Sequence, residues 1–146
     1  MRSRLASQLM RRFLQTVIFG TIGCHAVLAQ DSEIHRCLDK ANTQSAMNHC
    51  ASDEGLRVEA QLNNIYQKLL VAAREDPGAV EAIMSAQKAW IDFRDAYMDA
   101  MYPAKDKQAA YGSIFPLEFN VLRAKLTQQQ IEALKEILEK YAKSNE

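Results

Sequence analysis

Three carboxylates at helical spacing are the residues of this sequence that come nearest to an acid–base site. Asp92, Asp95 and Asp99 recur at steps of three and four, which would place them along one face of a helix. Paired acids can exchange protons with a substrate, but Lys88 and Arg94 stand among these three. The sequence also lacks a glycine-rich phosphate loop, a metal-ligand His/Glu spacing and a G-x-S-x-G elbow. The pattern predicts a solvated, ion-paired helix face, and it predicts no enzyme, cofactor or metal.

Two cysteines predict a disulfide. Of the three cysteines, Cys24 falls in an N-terminal segment that we expect to be removed, which leaves Cys37 and Cys50. In an oxidising compartment these two would pair, and the closed loop would contribute about 3 kcal/mol. Two free thiols are an alternative. A metal site with His35 and His49 is another, although neighbouring residues on a helix point about 100° apart and would not converge on one ion.

A glutamine, a tryptophan and an arginine share one predicted helix stripe. Gln87, Trp90 and Arg94 lie at i, i+3 and i+7. A recognition patch is one interpretation, because Trp and Arg are frequent interface hot spots. The interpretation we favour is a core Trp with satisfied polar neighbours, in which Arg94 pairs inside the bundle with an acid such as Asp53 or Glu54.

The charges of the chain are unevenly distributed. The 146 residues hold 18 bases and 18 acids, but the first 29 contain four arginines and no acid, so residues 30–146 carry 14 bases against 18 acids. An uncharged apolar stretch that ends in Val27-Leu28-Ala29 predicts a signal peptide over 1–29, cleaved between Ala29 and Gln30. An uncleaved anchor is an alternative, although the apolar run is short for a spanning helix. A lipoprotein acylated on Cys24 is another.

The remaining composition narrows the class of protein. With 25% charged and 48% hydrophobic residues the chain is typical of a folded protein, and its length supports one domain, which we expect over residues 30–146. A mildly acidic domain lacks the basic footprint of a nucleic-acid binder. We expect a periplasmic or secreted protein that meets the membrane only through its signal segment or a lipid on Cys24.

Helical spacing predicts an all-α fold, an antiparallel bundle of four to five helices with one disulfide. A short helix over 34–41 is followed by a long one that begins near Asn42 or Thr43, and Asp76-Pro77 opens a third. The third helix is predicted to bury Val80, Ile83, Met84, Gln87, Trp90, Ile91, Arg94, Met98 and Met101. Residues 103–116 are predicted to be a loop. The last helix is predicted to begin at a capping box of Thr127 and Gln130.

Several segments, in this order, resemble the LprI-type lysozyme-inhibitor family. They are Cys37-x12-Cys50, Leu62-Asn63-Asn64-Ile65-Tyr66, the stretch from Gln87 to Asp95, Tyr111-Gly112-Ser113-Ile114 and Leu126-Thr127. The residues that carry the likeness are Leu62, Asn63, Tyr66, Gln87, Trp90, Phe93, Arg94, Asp95 and Gly112. The family consists of small exported bacterial helical domains. Its second cysteine pair is replaced here by Met98 and Leu122, so we expect a mobile loop over 99–121.

The resemblance implies a protein partner, a basic lysozyme-like hydrolase that this chain would bind and inhibit. An acidic domain attracts a basic one, and the 99–121 segment would supply the contacts. The predicted contact residues are Asp99, Tyr102, Asp106, Tyr111 and Glu118. A structural or interaction module of the bacterial envelope, without inhibitory activity, is the alternative hypothesis.

Overall fold

The computed structural model describes residues 33–144, and the regular elements within them are all helical. The long helices are α2 (Gln44–Ala72), α3 (Pro77–Met101) and α5 (Phe115–Ser144). The short ones are α1 (33–38), α4 (Lys107–Tyr111) and the 3-10 turn Gly112–Ile114. The predicted all-α bundle of four to five helices is therefore confirmed.

The predictions for the N-terminal segment concern residues outside those that the structure describes. The signal peptide 1–29, its cleavage between Ala29 and Gln30 and the alternative lipid on Cys24 lie outside the described residues. Within residues 33–144, no helix has the length and apolar character needed to cross a bilayer.

Side-chain caps fix where three of the helices begin. Thr43 Oγ1 accepts a hydrogen bond from the Ala46 amide at 3.1 Å, which starts α2 at the predicted place. Asp76 Oδ1 accepts from the Ala79 amide at 3.1 Å and opens α3. Asp106 caps α4 in the same way. Each cap satisfies an amide that has no partner within its own helix.

Successive long helices run antiparallel, which makes α2 and α5 point in the same direction. Near the beginnings of these two helices, Asn48 Nδ2 donates to the Ser113 carbonyl at 3.1 Å. The core lies mainly between α2 and α5, and α3 adds Ile83 to it. The buried aliphatic side chains at this contact are Val58, Leu62, Leu69, Ile131 and Leu134.

The disulfide prediction is confirmed. Cys37 and Cys50 are bonded, and their Cα atoms lie 5.8 Å apart. Cys50 belongs to α2 and is buried, whereas Cys37 lies in α1. The bond therefore fastens the short first helix to the first long one.

The predicted capping box at the last helix is wrong. α5 begins twelve residues earlier, at Phe115, and continues through Thr127. Thr127 is buried, 1% exposed, and its hydroxyl donates to the Arg123 carbonyl one turn back at 2.9 Å. Gln130 donates to the side chain of Gln87 at 3.0 Å and caps nothing. Pro116 permits this early start, since proline is tolerated in the first turn of a helix.

Two further expectations fail. The 99–121 segment is not a loop, since only residues 102–106 within it lack helical structure. In α3, Met84, Ile91 and Met101 were expected in the core, but they are 53%, 38% and 50% exposed. The buried stripe of α3 is narrower than its apolar residues suggest, because only one side of the helix packs against the rest of the bundle.

Candidate functional site

Four aromatic side chains cluster where α3 ends and α5 begins. The ring of Tyr102, just after α3, lies 5.4 Å from that of Tyr111 and 5.2 Å from that of Phe115, edge to face in both cases. Phe115 and Phe119, one turn apart in α5, have ring centroids 5.3 Å apart. Such pairs add to the burial of the rings. All four rings are half-buried, so the cluster both orders this end of the bundle and presents aromatic surface.

Polar contacts hold the short connection around this cluster in place. Lys107 Nζ donates to the Tyr102 carbonyl at 2.6 Å and approaches Asp99 at 3.3 Å. The Ala104 amide donates to the Tyr111 hydroxyl at 3.3 Å. These contacts, rather than a second disulfide, order the segment between α3 and α5.

Gly112 makes the sharp turn after α4. Its φ of 72° lies in the left-handed region that glycine adopts without strain, and it is the one residue described with a positive φ. Tyr111 has an ordinary φ of −114°. The geometry therefore needs glycine only at 112, and Tyr111 is free to join the aromatic cluster.

The electrostatic surroundings of Tyr102 keep its phenol protonated. Burial, then the nearby carboxylate of Glu118 and the phenol of Tyr111, raise the Tyr102 pKa above its usual value. Each of these factors disfavours the phenolate. Tyr102 thus keeps its O–H as a hydrogen-bond donor throughout the physiological pH range.

The structure brings the five predicted contact residues to one end of the molecule. Asp99 is 79% exposed at its side chain and pairs with Lys107. Glu118 is exposed in the first turn of α5, and Asp106 is exposed at the cap of α4. Tyr102 and Tyr111 stand between them in the cluster. We call the four rings together with Asp99, Asp106 and Glu118 the acidic–aromatic surface.

An ion-pair network lies beneath this surface. Arg94 is 7% exposed and donates to Glu59 of α2 at 2.9 Å and to Asp95 at 2.9 Å. Arg123 of α5 also forms an ion pair with Glu59, at 2.9 Å. Arg94 therefore pairs with an acid inside the bundle as predicted, but that acid is Glu59 and not Asp53 or Glu54. Glu59 links all three long helices through charge-assisted hydrogen bonds.

The network forms one wall of a polar groove of about 310 Å³ between α3 and α5. The residues that line it are Arg94, Asp95, Met98, Asp99, Phe119 and Arg123. Because Asp99 and Phe119 also belong to the acidic–aromatic surface, the groove continues that surface toward the middle of the bundle. Its two aspartates already pair with cations of this chain, Asp95 with Arg94 and Asp99 with Lys107.

The remaining motif residues have mixed positions. Leu62 is in the core, Gln87 is buried against Gln130, and Trp90 packs half-buried on the core with the Arg94 guanidinium 5.1 Å from its ring centroid. Tyr66 is half-buried beside the core, and Asn63 is exposed. Phe93 is 57% exposed. Trp90 and Arg94 therefore serve the interior, whereas Phe93 faces outward.

Several residues of the site were missed from the sequence. The sequence did not predict a role for Glu59, Lys107, Arg123, Phe115 or Phe119. The two phenylalanines stand four apart, the spacing of neighbours on a helix face. That signal was obscured because their segment was expected to precede the last helix.

A second groove, of about 690 Å³, lies at the opposite end of α3 and has mainly apolar walls that include Tyr66, Val80 and Met84. Its two cations are already paired, Arg74 with Glu75 and Lys88 with Asp92. Among residues 33–144 no three His, Cys, Asp or Glu side chains converge as metal ligands would.

Comparison with known proteins identifies relatives of this sequence. The family described as "Lysozyme inhibitor LprI" matches residues 37–134. A protein of Rhizobium meliloti (strain 1021) that is named as uncharacterized is 32% identical over 112 residues, an alignment that covers 68% of this chain and 77% of that protein. No solved structure matches this chain significantly.

Proposed function

This chain belongs to the LprI lysozyme-inhibitor family, and from that premise we propose that it is an exported envelope protein that binds and inhibits lysozyme-like peptidoglycan hydrolases. The matched segment, 37–134, contains the whole acidic–aromatic surface. We propose that this surface makes the contact with the hydrolase.

The chemistry of the surface supports a basic protein as the partner. Its carboxylates are exposed, and the side chain of Asp99 is 79% accessible even though it pairs with Lys107. Acidic groups of this kind attract a basic partner and accelerate encounter more than they increase final affinity. The half-buried rings of Tyr102 and Tyr111 supply the rigid amphipathic anchors that typically carry binding energy.

Inhibition of this kind would act by occlusion. Lysozyme-like hydrolases hold a polysaccharide in an open cleft and cleave it with two carboxyl groups. A protein that covers the cleft excludes that substrate without any covalent step. The acidic–aromatic surface is held by the Lys107 contacts and by the Asn48–Ser113 hydrogen bond, so little ordering entropy would be lost on binding.

The disulfide supports the proposed export. Bonds such as Cys37–Cys50 form and persist in the periplasm or outside the cell and are rare in the cytosol. The predicted signal peptide 1–29 would deliver the chain to that compartment, where peptidoglycan and its hydrolases also reside.

A turbidity assay tests the function directly. The protein, expressed from its full-length sequence and recovered from the periplasm, should slow the clearing of a cell-wall suspension by a basic lysozyme in proportion to its concentration. Full lysozyme activity in the presence of excess folded protein, across several basic lysozymes, would contradict the proposed inhibition.

A matched pair of charge reversals tests the surface. Glu118→Lys should weaken inhibition about tenfold, because it replaces attraction with repulsion at the contact, a change of about 1.4 kcal/mol. Glu136→Lys is the control, since it alters net charge equally at an exposed position 18 residues further along α5, about 27 Å away. Equal effects of the two variants would mean that the contact lies elsewhere.

A further inference from the structure

The Cys37–Cys50 disulfide lies at the surface, in the wall of a cavity. Cys37 of α1 is an exposed residue, whereas Cys50 of α2 is only 5% exposed. The cavity, of about 180 Å³, lies between the two helices and has both cysteines, Ile34 and Arg57 among its lining residues. A reagent can therefore approach the bond from the side of Cys37. Exposed disulfides are typically more easily reduced than buried ones.

The contacts that hold α1 to α2 beside this cavity are surface contacts. Glu33 approaches Arg57 at 3.8 Å, and its side chain is 63% exposed, so the pair contributes little to stability. Arg57 has a closer partner within α2, Glu54 at 2.8 Å, and it keeps that partner when α1 leaves. Ile34 and Leu38 are half-buried, but among the described residues neither packs on the main core. A helix as short as α1 is also unstable by itself in water.

We infer that Cys37–Cys50 is a redox-active bond: a dithiol reductant opens it in the folded protein, and α1 then leaves α2 while the three long helices stay packed. The main core described lies in α2, α3, α5 and the turn after α2, so it loses no residue when α1 departs. α1 is thus a strap, which is docked on α2 when the bond is oxidised and released when it is reduced.

The exchange transfers two electrons from the reductant to the protein. A thiolate of the reductant attacks Sγ of Cys37, the accessible sulfur, and the S–S bond breaks so that Cys50 leaves as a thiolate and takes up a proton. The second thiolate of the reductant then attacks the reductant's own sulfur in the mixed disulfide, and Cys37 leaves and is protonated in turn. The protein gains two thiols, and the dithiol becomes a disulfide. A dithiol fits this reaction because its second step takes place within one molecule.

Release of α1 leaves the acidic–aromatic surface in place. Asn48, whose side chain donates to the Ser113 carbonyl, is two residues from Cys50 and projects from α2 about 160° away from it. The contact that holds this end of the bundle therefore does not involve α1. The redox change is separable from the proposed inhibition, and measurements on the protein alone, without a hydrolase, test it.

The rate of reduction distinguishes attack on the folded protein from reduction after unfolding. Protein expressed from the full-length sequence and recovered from the periplasm is treated with dithiothreitol, and maleimide labelling of Cys37 and Cys50 is followed by mass. Urea at about 1 M, below the unfolding transition, should change the rate by less than about twofold, because opening α1 alone exposes little surface. A bond reached only through global unfolding would open about tenfold faster in that urea. That acceleration, or resistance of the folded protein to excess dithiothreitol, would overturn the proposal.

Hydrogen exchange tests the release of α1. The amides of Asp39, Lys40 and Ala41 donate to carbonyl groups of α1 at 2.8, 3.1 and 3.0 Å, and after reduction they should exchange at least about tenfold faster. The amides of the core residues Leu62 and Ile131 should keep their protection.

The control is the variant in which both cysteines are replaced by alanine. It should show the exchange pattern of the released strap whether or not dithiothreitol is present. Strap amides that stay protected in the reduced wild type would contradict the release, and core amides that lose protection together with the strap would contradict the persistence of the bundle.

Discussion

At the scale of single residues, Arg94 should contribute more to stability than any surface ion pair. Arg94→Ala should lower the free energy of unfolding by about 3 kcal/mol, because it leaves the half-buried Glu59 with Arg123 alone and removes the guanidinium from the Trp90 ring. Arg74→Ala is the control, since Arg74 pairs with Glu75 where both side chains are more than two-thirds exposed, and it should cost less than about 0.5 kcal/mol. Urea denaturation followed by circular dichroism measures both, and equal losses would show that the network is not stabilising.

The burial of Arg94 was predictable from sequence, but its partner was not. Its spacing from Gln87 and Trp90 placed it on the inner stripe of α3, and a buried guanidinium needs an acid. Which acid depends on the register of α3 against α2, and the turn at residues 73–76 and the core packing set that register. The spacing of residues along either helix does not reveal it. In the structure Glu54 pairs with Arg57 at 2.8 Å, and Glu59 is the acid that Arg94 reaches.

At the scale of elements, Thr127 distinguishes a helix interior from a helix start. In the interior of α5 its hydroxyl donates only to the Arg123 carbonyl, so Thr127→Val should change stability by less than about 1 kcal/mol. Thr127→Asp should cost at least about 3 kcal/mol, since it buries a carboxylate at a position that is 1% exposed. At an N-cap the order would reverse, because Asp caps well and Val does not. Thermal unfolding of the two variants decides between the arrangements.

The wrong prediction for the start of α5 shows that a local capping signal can be present inside a continuous helix. Thr127 and Gln130 fit a capping box, yet nothing between Phe115 and Thr127 breaks a helix once Pro116 occupies its first turn. In the structure Ala124 and Thr127 are buried within one continuous helix, and Thr127 caps nothing. The aromatic cluster depends on this extension, since Phe115 and Phe119 belong to the added turns. Because α5 was predicted to begin too late, the sequence did not indicate that Phe115 and Phe119 share a helix face.

At the scale of the whole molecule, the bundle was predictable because its helices bury long apolar stripes and the signals for strands are absent. The apolar stripes do not indicate how much of the surface of each helix will be packed against other helices. α3 is apolar over most of its circumference, but α2 and α5 occupy only one side of it. The exposed Phe93 and Met84 follow from the small number of helices available to pack against them. The buried fraction of each helix depends on the number and placement of all the helices in the bundle, which no single segment of sequence determines.

Removal of the disulfide tests whether the three long helices fold without a covalent link to α1. Every residue of the main core described belongs to α2, α3 or α5 or to the turn after α2, so replacing both Cys37 and Cys50 by Ala should leave the helical circular dichroism nearly intact. The unfolding free energy should still fall by about 3 kcal/mol, since the bond closes a loop with a sequence separation of 13. Reduction of the wild type should reproduce that loss. If the helical signal collapsed on reduction instead, α1 would be required for the three long helices to fold.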